Sequence, residues 1–172
     1  MKTHRLLITI IPLVLTVIPI YAQESKRDAG PSVSEGVSFT KDISLLLTII
    51  ALPNLEASQF SANHNFSSKP ANALADLEKL AVDKKAFSIA NLAVTTRSGQ
   101  RATSDAGQLI LDVETQLSKD QKIAEVVVNI VNKGHRIATT IQTTKESVVF
   151  LGSIPSSADK TLTEYMFLRV SY

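Results

Sequence analysis

The sequence predicts an α+β domain, mainly an antiparallel β-sheet meander with one packed helix over about residues 72–84, preceded by a signal peptide. Three observations carry this. From Ala86 onward, short β-branched and apolar stretches alternate with tight turn signals. One segment, Asn72 to Lys84, has the three-to-four apolar spacing of an amphipathic helix. The first 22 residues have a composition unlike the rest.

That first segment reads as residues 1–22 of an export signal. Lys2 and Arg5 supply a basic start, and Leu6 to Tyr21 is an uncharged apolar run. The run is about 16 residues, interrupted by Pro12 and Pro19, against the roughly 20 a spanning helix wants. Ala22 offers a small residue at the cut, although Ile20 stands where a second small residue is preferred. An uncleaved anchor in the inner membrane is the alternative. Residues 23–37 mix Ser, Gly, Pro and charge and read as a flexible linker, leaving residues 38–172 as a single β-rich domain.

Within that domain, Lys41 to Leu52 is a Leu- and Ile-rich run halted by Pro53-Asn54, and it reads as a buried strand. A run this apolar cannot be told from a core helix by period alone. Glu56 to Lys69 is polar and aperiodic, and a loop or irregular edge is expected. The helix follows, with Asn72 as its cap, Pro70 in an entry turn, and Leu74, Leu77, Leu80 and Ala81 on the face that should lie on a sheet. Strands are then expected over Phe87 to Thr96, Gln108 to Leu117, Lys122 to Asn132, Arg136 to Thr144, Val148 to Leu151 and Thr161 to Val170. Turns at Arg97-Ser98-Gly99-Gln100, Ser118 to Gln121, Lys133-Gly134-His135 and Lys145-Glu146-Ser147 separate them, with a loop from Ile154 to Asp159. The stretch KIAEVVVNIVNK would be an aggregation hazard at an edge, so it should sit mid-sheet or be covered by a partner.

Composition limits the chemistry. Apolar residues make up 44% and charged residues 20%, the balance of a globular chain. Cysteine is absent, which removes disulfides, thiolate metal sites and thiol nucleophiles. The full chain has 18 basic and 16 acidic side chains; losing Lys2 and Arg5 with the signal leaves 16 of each. A neutral chain has no electrostatic footprint for nucleic acid.

Candidate catalytic and binding residues are few. His64 and His135 stand far apart, and neither has an i+4 ligand partner. Ser157-Ala158-Asp159-Lys160 matches a bare S-x-x-K pattern without its companion motifs. Asp112 and Glu114 lie two apart on one strand face, where like charges could make an acid–base pair; a solvated face is the simpler reading. Asn65-Phe66-Ser67 fits a glycosylation sequon. Thr139, Thr140, Thr143 and Thr144 crowd one strand, as good strand formers do. No catalytic, cofactor or metal residues are assigned, and the chain is not expected to be an enzyme.

An ordered string in the second half is more distinctive. Helix ALADLEKL precedes Thr95-Thr96-Arg97-Ser98-Gly99-Gln100-Arg101-Ala102, then Leu111-Asp112-Val113 with Asp120 to Ile123, then Ser147 to Ser153, then Thr163-Glu164-Tyr165-Met166-Phe167-Leu168. This order resembles the core domain of secretins, the outer-membrane rings of type II and type III secretion and type IV pilus systems. The likeness runs from about Ile43 to Tyr172. Ser153 replaces a family glycine, Arg169-Val170 replaces a closing Thr-Pro, and only a few residues separate Ala102 from Leu109 where gate hairpins would be inserted. The resemblance implies an exported, non-enzymatic structural or assembly domain in the periplasm or outer membrane. It implies homo-oligomeric or envelope-protein partners, no cofactor and no catalytic residue, and it leaves membrane association open. The alternative is a soluble periplasmic or secreted binding module using the loops Glu56 to Lys69 and Ile154 to Asp159.

Overall fold

The computed structural model describes residues 41–172; the signal segment, the linker and the first residues of the β-rich domain lie outside the described residues. The elements run β1 (Asp42–Pro53), α1 (Asn54–Asn63), α2 (Pro70–Val82), β2 (Phe87–Arg97), β3 (Gln100–Asp105), β4 (Leu109–Leu117), β5 (Ile123–Asn132), β6 (His135–Thr144), β7 (Ser147–Pro155) and β8 (Leu162–Ser171).

The strands form two antiparallel four-stranded sheets. The first has the order β2-β1-β8-β7 and the second β3-β4-β5-β6. Passing around both sheets therefore visits the strands in chain order. The expected α+β, mainly antiparallel class is what the chain adopts, with the meander divided between two facing sheets.

Alternation explains how the sheets face each other. Ile43, Leu45, Leu47 and Ile49 of β1 and Met166, Leu168 and Val170 of β8 point inward from the first sheet. They meet Leu109, Leu111, Val113 and Leu117 of β4 and Ala124, Val126, Val128 and Ile130 of β5. Successive strand residues point to opposite faces, so one pleat of each central strand builds this core. The β-branched run of β5 lies mid-sheet between β4 and β6, which removes the hazard of an exposed edge there.

The helices cover part of the outer face of the first sheet. Ile50 and Leu52 of β1 and Tyr165 and Phe167 of β8 point outward onto Ala57 and Phe60 of α1 and Ala73, Leu74 and Leu77 of α2. This accounts for β1 being buried without interruption from Leu47 to Leu52: its second half is covered on both faces. The leucine stripe of α2 packs as expected, with Leu80 and Ala81 joining it at the margin.

Three details differ from the sequence expectation. The segment after Pro53 is a helix, α1, where a loop was expected; it buries only Ala57 and Phe60, so it leaves almost no periodic trace. Its start is fixed from a distance instead. Asn54 donates from its backbone N–H to the Thr161 carbonyl at 2.9 Å and from Nδ2 to the Lys160 carbonyl at 2.9 Å, and its Oδ1 accepts from Thr163 Oγ1 at 2.9 Å. In α2, Pro70 is itself the first helical residue and Asn72 lies inside; Lys69 holds the cap position without a side-chain bond. Proline fits there because a first-turn residue needs no N–H donor. The remaining expected strands are present, and the residues after Gln100 add a short one, β3. The β5–β6 hairpin turns on Lys133 and Gly134, both at positive φ (46° and 87°), the primed-turn geometry that matches strand twist.

Candidate functional site

The feature that sets this domain apart is a pair of open flanks. On one flank, among the described residues, β2 pairs only with β1 and β3 only with β4. The two strands meet at the Ser98-Gly99 turn, where the chain passes from one sheet to the other. Side-chain hydroxyls lock that corner. Thr96 Oγ1 donates to the Gln100 carbonyl at 3.2 Å, Thr115 Oγ1 donates to the Arg97 carbonyl at 3.2 Å, and the Leu117 N–H donates to Ser98 Oγ at 2.9 Å. Thr115 is fully buried, so its bond is made away from competing water.

On the opposite flank, among the described residues, β6 pairs only with β5 and β7 only with β8. Their corner, Lys145-Glu146, is closed by hydrogen bonds from Ser147 Oγ to the Thr144 carbonyl at 2.7 Å and between the Thr143 and Ser147 hydroxyls. Each flank thus carries two strands, one from each sheet, with one side of the backbone ladder unused within the described chain. The Thr95 to Ala102 string that resembles the secretin motif forms the end of β2, the turn and the start of β3.

The residues weighed for catalysis are placed as follows. Asp112 and Glu114 share the outer face of the second sheet. Arg101 grips Asp112 with two guanidinium nitrogens, Nε at 2.7 Å from Oδ1 and the second nitrogen on Oδ2, and Thr103 Oγ1 adds a bond at 3.2 Å. Those hydrogen bonds hold the Asp112 carboxyl below its ordinary range, with Arg136 contributing charge from β6. An acid–base pair needs one carboxyl raised, so this geometry works against the role.

His64 ends α1 and His135 begins β6 on the other sheet, and the fold does not bring them together. His64 stacks on Phe60 with ring centroids 3.8 Å apart. Its Nδ1 lies 2.9 Å from the Phe60 carbonyl and its Nε2 lies 3.0 Å from Asp76 Oδ2, so both ring nitrogens are engaged and neither is free to activate a nucleophile. Ser157 and Lys160 sit exposed in the β7–β8 loop, while Asp159 Oδ1 accepts from the Thr161 N–H at 2.9 Å and the Thr161 hydroxyl at 2.6 Å. The threonine row of β6 is split by the pleat: Thr139 and Thr143 are partly or fully buried, and Thr140 and Thr144 face water. Asn65 of the sequon is exposed, with Oδ1 accepting from the N–H groups of Ser67 and Ser68. Among the described residues, no three His, Asp or Glu side chains gather as a metal site.

Sequence reasoning missed a buried polar pair between the sheets. Glu164 points inward from β8 and is 1% exposed; its Oε2 accepts from Asn132 Nδ2 at 2.7 Å, while Oε1 has no partner among the described residues. The two residues lie 32 apart in sequence, so no local spacing could reveal them. The alternation of β8 offers a signal in hindsight: Glu164 shares its inward parity with Met166, Leu168 and Val170.

No protein-family model matches the chain, and no curated protein does. A solved structure is similar. It is the InvG secretin domain β-barrel from the Salmonella SPI-1 injectisome NC-base, at 9% identity and a TM-score of 0.44. The match covers 77% of this chain and 63% of that one, so the chain spans less than two thirds of the structure it resembles.

Proposed function

We propose that this chain is an exported, non-enzymatic structural domain that assembles at the bacterial cell envelope, as a part of a secretion or pilus-type system. The observation that carries the reading is the pair of open flanks. Each presents strand backbone with unused hydrogen-bonding capacity, and the two flanks differ, β2 and β3 on one side and β6 and β7 on the other. Unlike flanks suit head-to-tail contact between copies, which closes into a ring if the rotation per subunit permits. The ordered string of secretin-like motifs supports the same reading, since its Thr95 to Ala102 and Ser147 to Ser153 pieces fall on the flank strands.

Edge pairing can be tested without touching the core. Ala138 and Thr140 are exposed on edge strand β6, and lysine at both positions places charge where an added strand would dock. The variant A138K/T140K should keep the native circular dichroism spectrum and lose self-association. An unchanged mass distribution would count against this flank as an assembly surface.

A second reading, a soluble binding module, has one observation in its favour. An open cleft of about 550 Å³ is lined by Ala62 to Ser67 and Phe150, where α1 ends and its connection to α2 begins. A ligand for that cleft would shift the resonances of His64 and Phe66 while the chain remains a monomer.

A further inference from the structure

The connection from α2 to β2 exposes apolar surface that the core does not use. Five large hydrophobic side chains are exposed among the described residues, and three of them fall in this stretch: Val82 at 81%, Phe87 at 50% and Ile89 at 36%. A fourth, Leu55, opens α1 just beyond the end of β1, whose Ala51 pairs with Phe87. Lysines stand among them. Lys79, Lys84 and Lys85 are exposed and enter no ion pair among the described residues. One carboxylate, Asp83, lies within the stretch, and the neighbouring Glu78 is met by Arg169 at 3.7 Å.

The backbone here is held in shape. The N–H groups of Asp83, Lys84 and Lys85 donate to the carbonyls of Lys79, Ala81 and Leu80 at 3.0, 3.1 and 2.8 Å, and the Ala86 N–H donates to the Leu80 carbonyl at 3.1 Å. Lys84 takes a positive φ of 59°, which ends the helix, and Ala86 is buried behind it. Val82 and Phe87 are therefore presented by bonded backbone, and a contact made there costs little ordering.

We propose that the end of α2 and the start of β2 form a docking surface for an anionic lipid bilayer. Clustered exposed apolar side chains mark interaction surfaces. Charge selects the occupant: three unpaired lysines beside one aspartate complement lipid phosphates. Lysine stems can lie along the acyl boundary while their ammonium groups stay at the head groups. Val82 protrudes instead of walling a groove, so a fluid interface suits it better than a small ligand does. The proposal goes beyond assembly through the flanks, because Val82, Lys84 and Lys85 lie outside the flank strands and need no second copy.

The test reads the surface locally, since the apolar run of residues 6–21 would carry the full chain to vesicles by itself. The chain has no cysteine, so Val82→Cys takes a polarity-sensitive dye at that position alone. Thr140→Cys, exposed on the second sheet, is the control. With phosphatidylglycerol vesicles, the dye at position 82 should shift to the blue and the dye at position 140 should not. Phosphatidylcholine vesicles should need at least about tenfold more lipid for the same shift, and added salt should narrow that gap. Combined with the label, K84E/K85E should abolish the preference for phosphatidylglycerol, and Phe87→Ser should weaken binding about tenfold. Light scattering on the lipid-free samples scores self-association separately. Equal shifts at positions 82 and 140, no shift at position 82, or no preference between the two lipids would overturn the proposal. So would a shift at position 82 that follows protein concentration without lipid, which would assign the patch to a second copy.

Discussion

The two sheets share a core but face the world differently. The first is covered on its outer side by α1 and α2 over the half that carries Ile50, Leu52, Tyr165 and Phe167. Among the described residues nothing covers the outer face of the second, which carries Arg101, Asp112, Glu114, Glu125 and Arg136. Burial along its central strands therefore alternates, as Leu111-Asp112-Val113-Glu114 shows, whereas β1 becomes uniformly apolar once it passes beneath the helices. The difference teaches where stability is concentrated: a strand residue under the helices and one on the bare face have the same backbone role but very different burial.

Substitutions should expose that contrast in order of size. Phe167 is fully buried between the first sheet and the helices, so Phe167→Ala should lose about 3–5 kcal/mol in denaturant unfolding, with the helical signal weakened as well. Leu111, fully buried between the sheets, should lose about 2–5 kcal/mol as Leu111→Ala while α1 and α2 stay docked. The locked corner comes next. Thr115→Val keeps the shape but leaves the Arg97 carbonyl without its hydroxyl donor, at a cost of about 1–2 kcal/mol. On the bare face, Val127→Thr should fall within about 0.5 kcal/mol of the parent, and a loss comparable to Leu111→Ala would show that this face is covered after all.

Acid should separate the faces further. Arg101 holds Asp112 below its ordinary carboxylate value in the folded chain, so the pair stabilises the fold above the unfolded carboxylate's range. That contribution is lost as pH falls through the lowered folded value. Asp112→Asn should therefore flatten the acid limb of a stability–pH curve and leave the plateau near pH 7 slightly lower. An unaltered acid limb would mean the Arg101–Asp112 grip contributes nothing to folding.

Much of this was legible in the chain. The alternating strands of the second sheet announce themselves because only one of their faces is buried, and the leucine stripe of α2 does so for the same reason. β1 reads ambiguously because burial on both faces erases its period, and α1 leaves no sign because two buried residues define no face. Sites were harder. The His64–Asp76 contact and the Asn132–Glu164 pair join separate elements. Long-range juxtaposition of this kind depends on sheet packing, and no spacing rule encodes it. The division of the meander into two sheets is decided at the Ser98-Gly99 and Lys145-Glu146 corners, which read as ordinary hairpin turns.

The open flanks remain the centre of the account, and the mass of the purified chain in solution tests them most directly. Light scattering with and without mild detergent should report a large, discrete, detergent-stable oligomer that A138K/T140K dissolves. A single species at the monomer mass in both conditions would contradict assembly through the flanks.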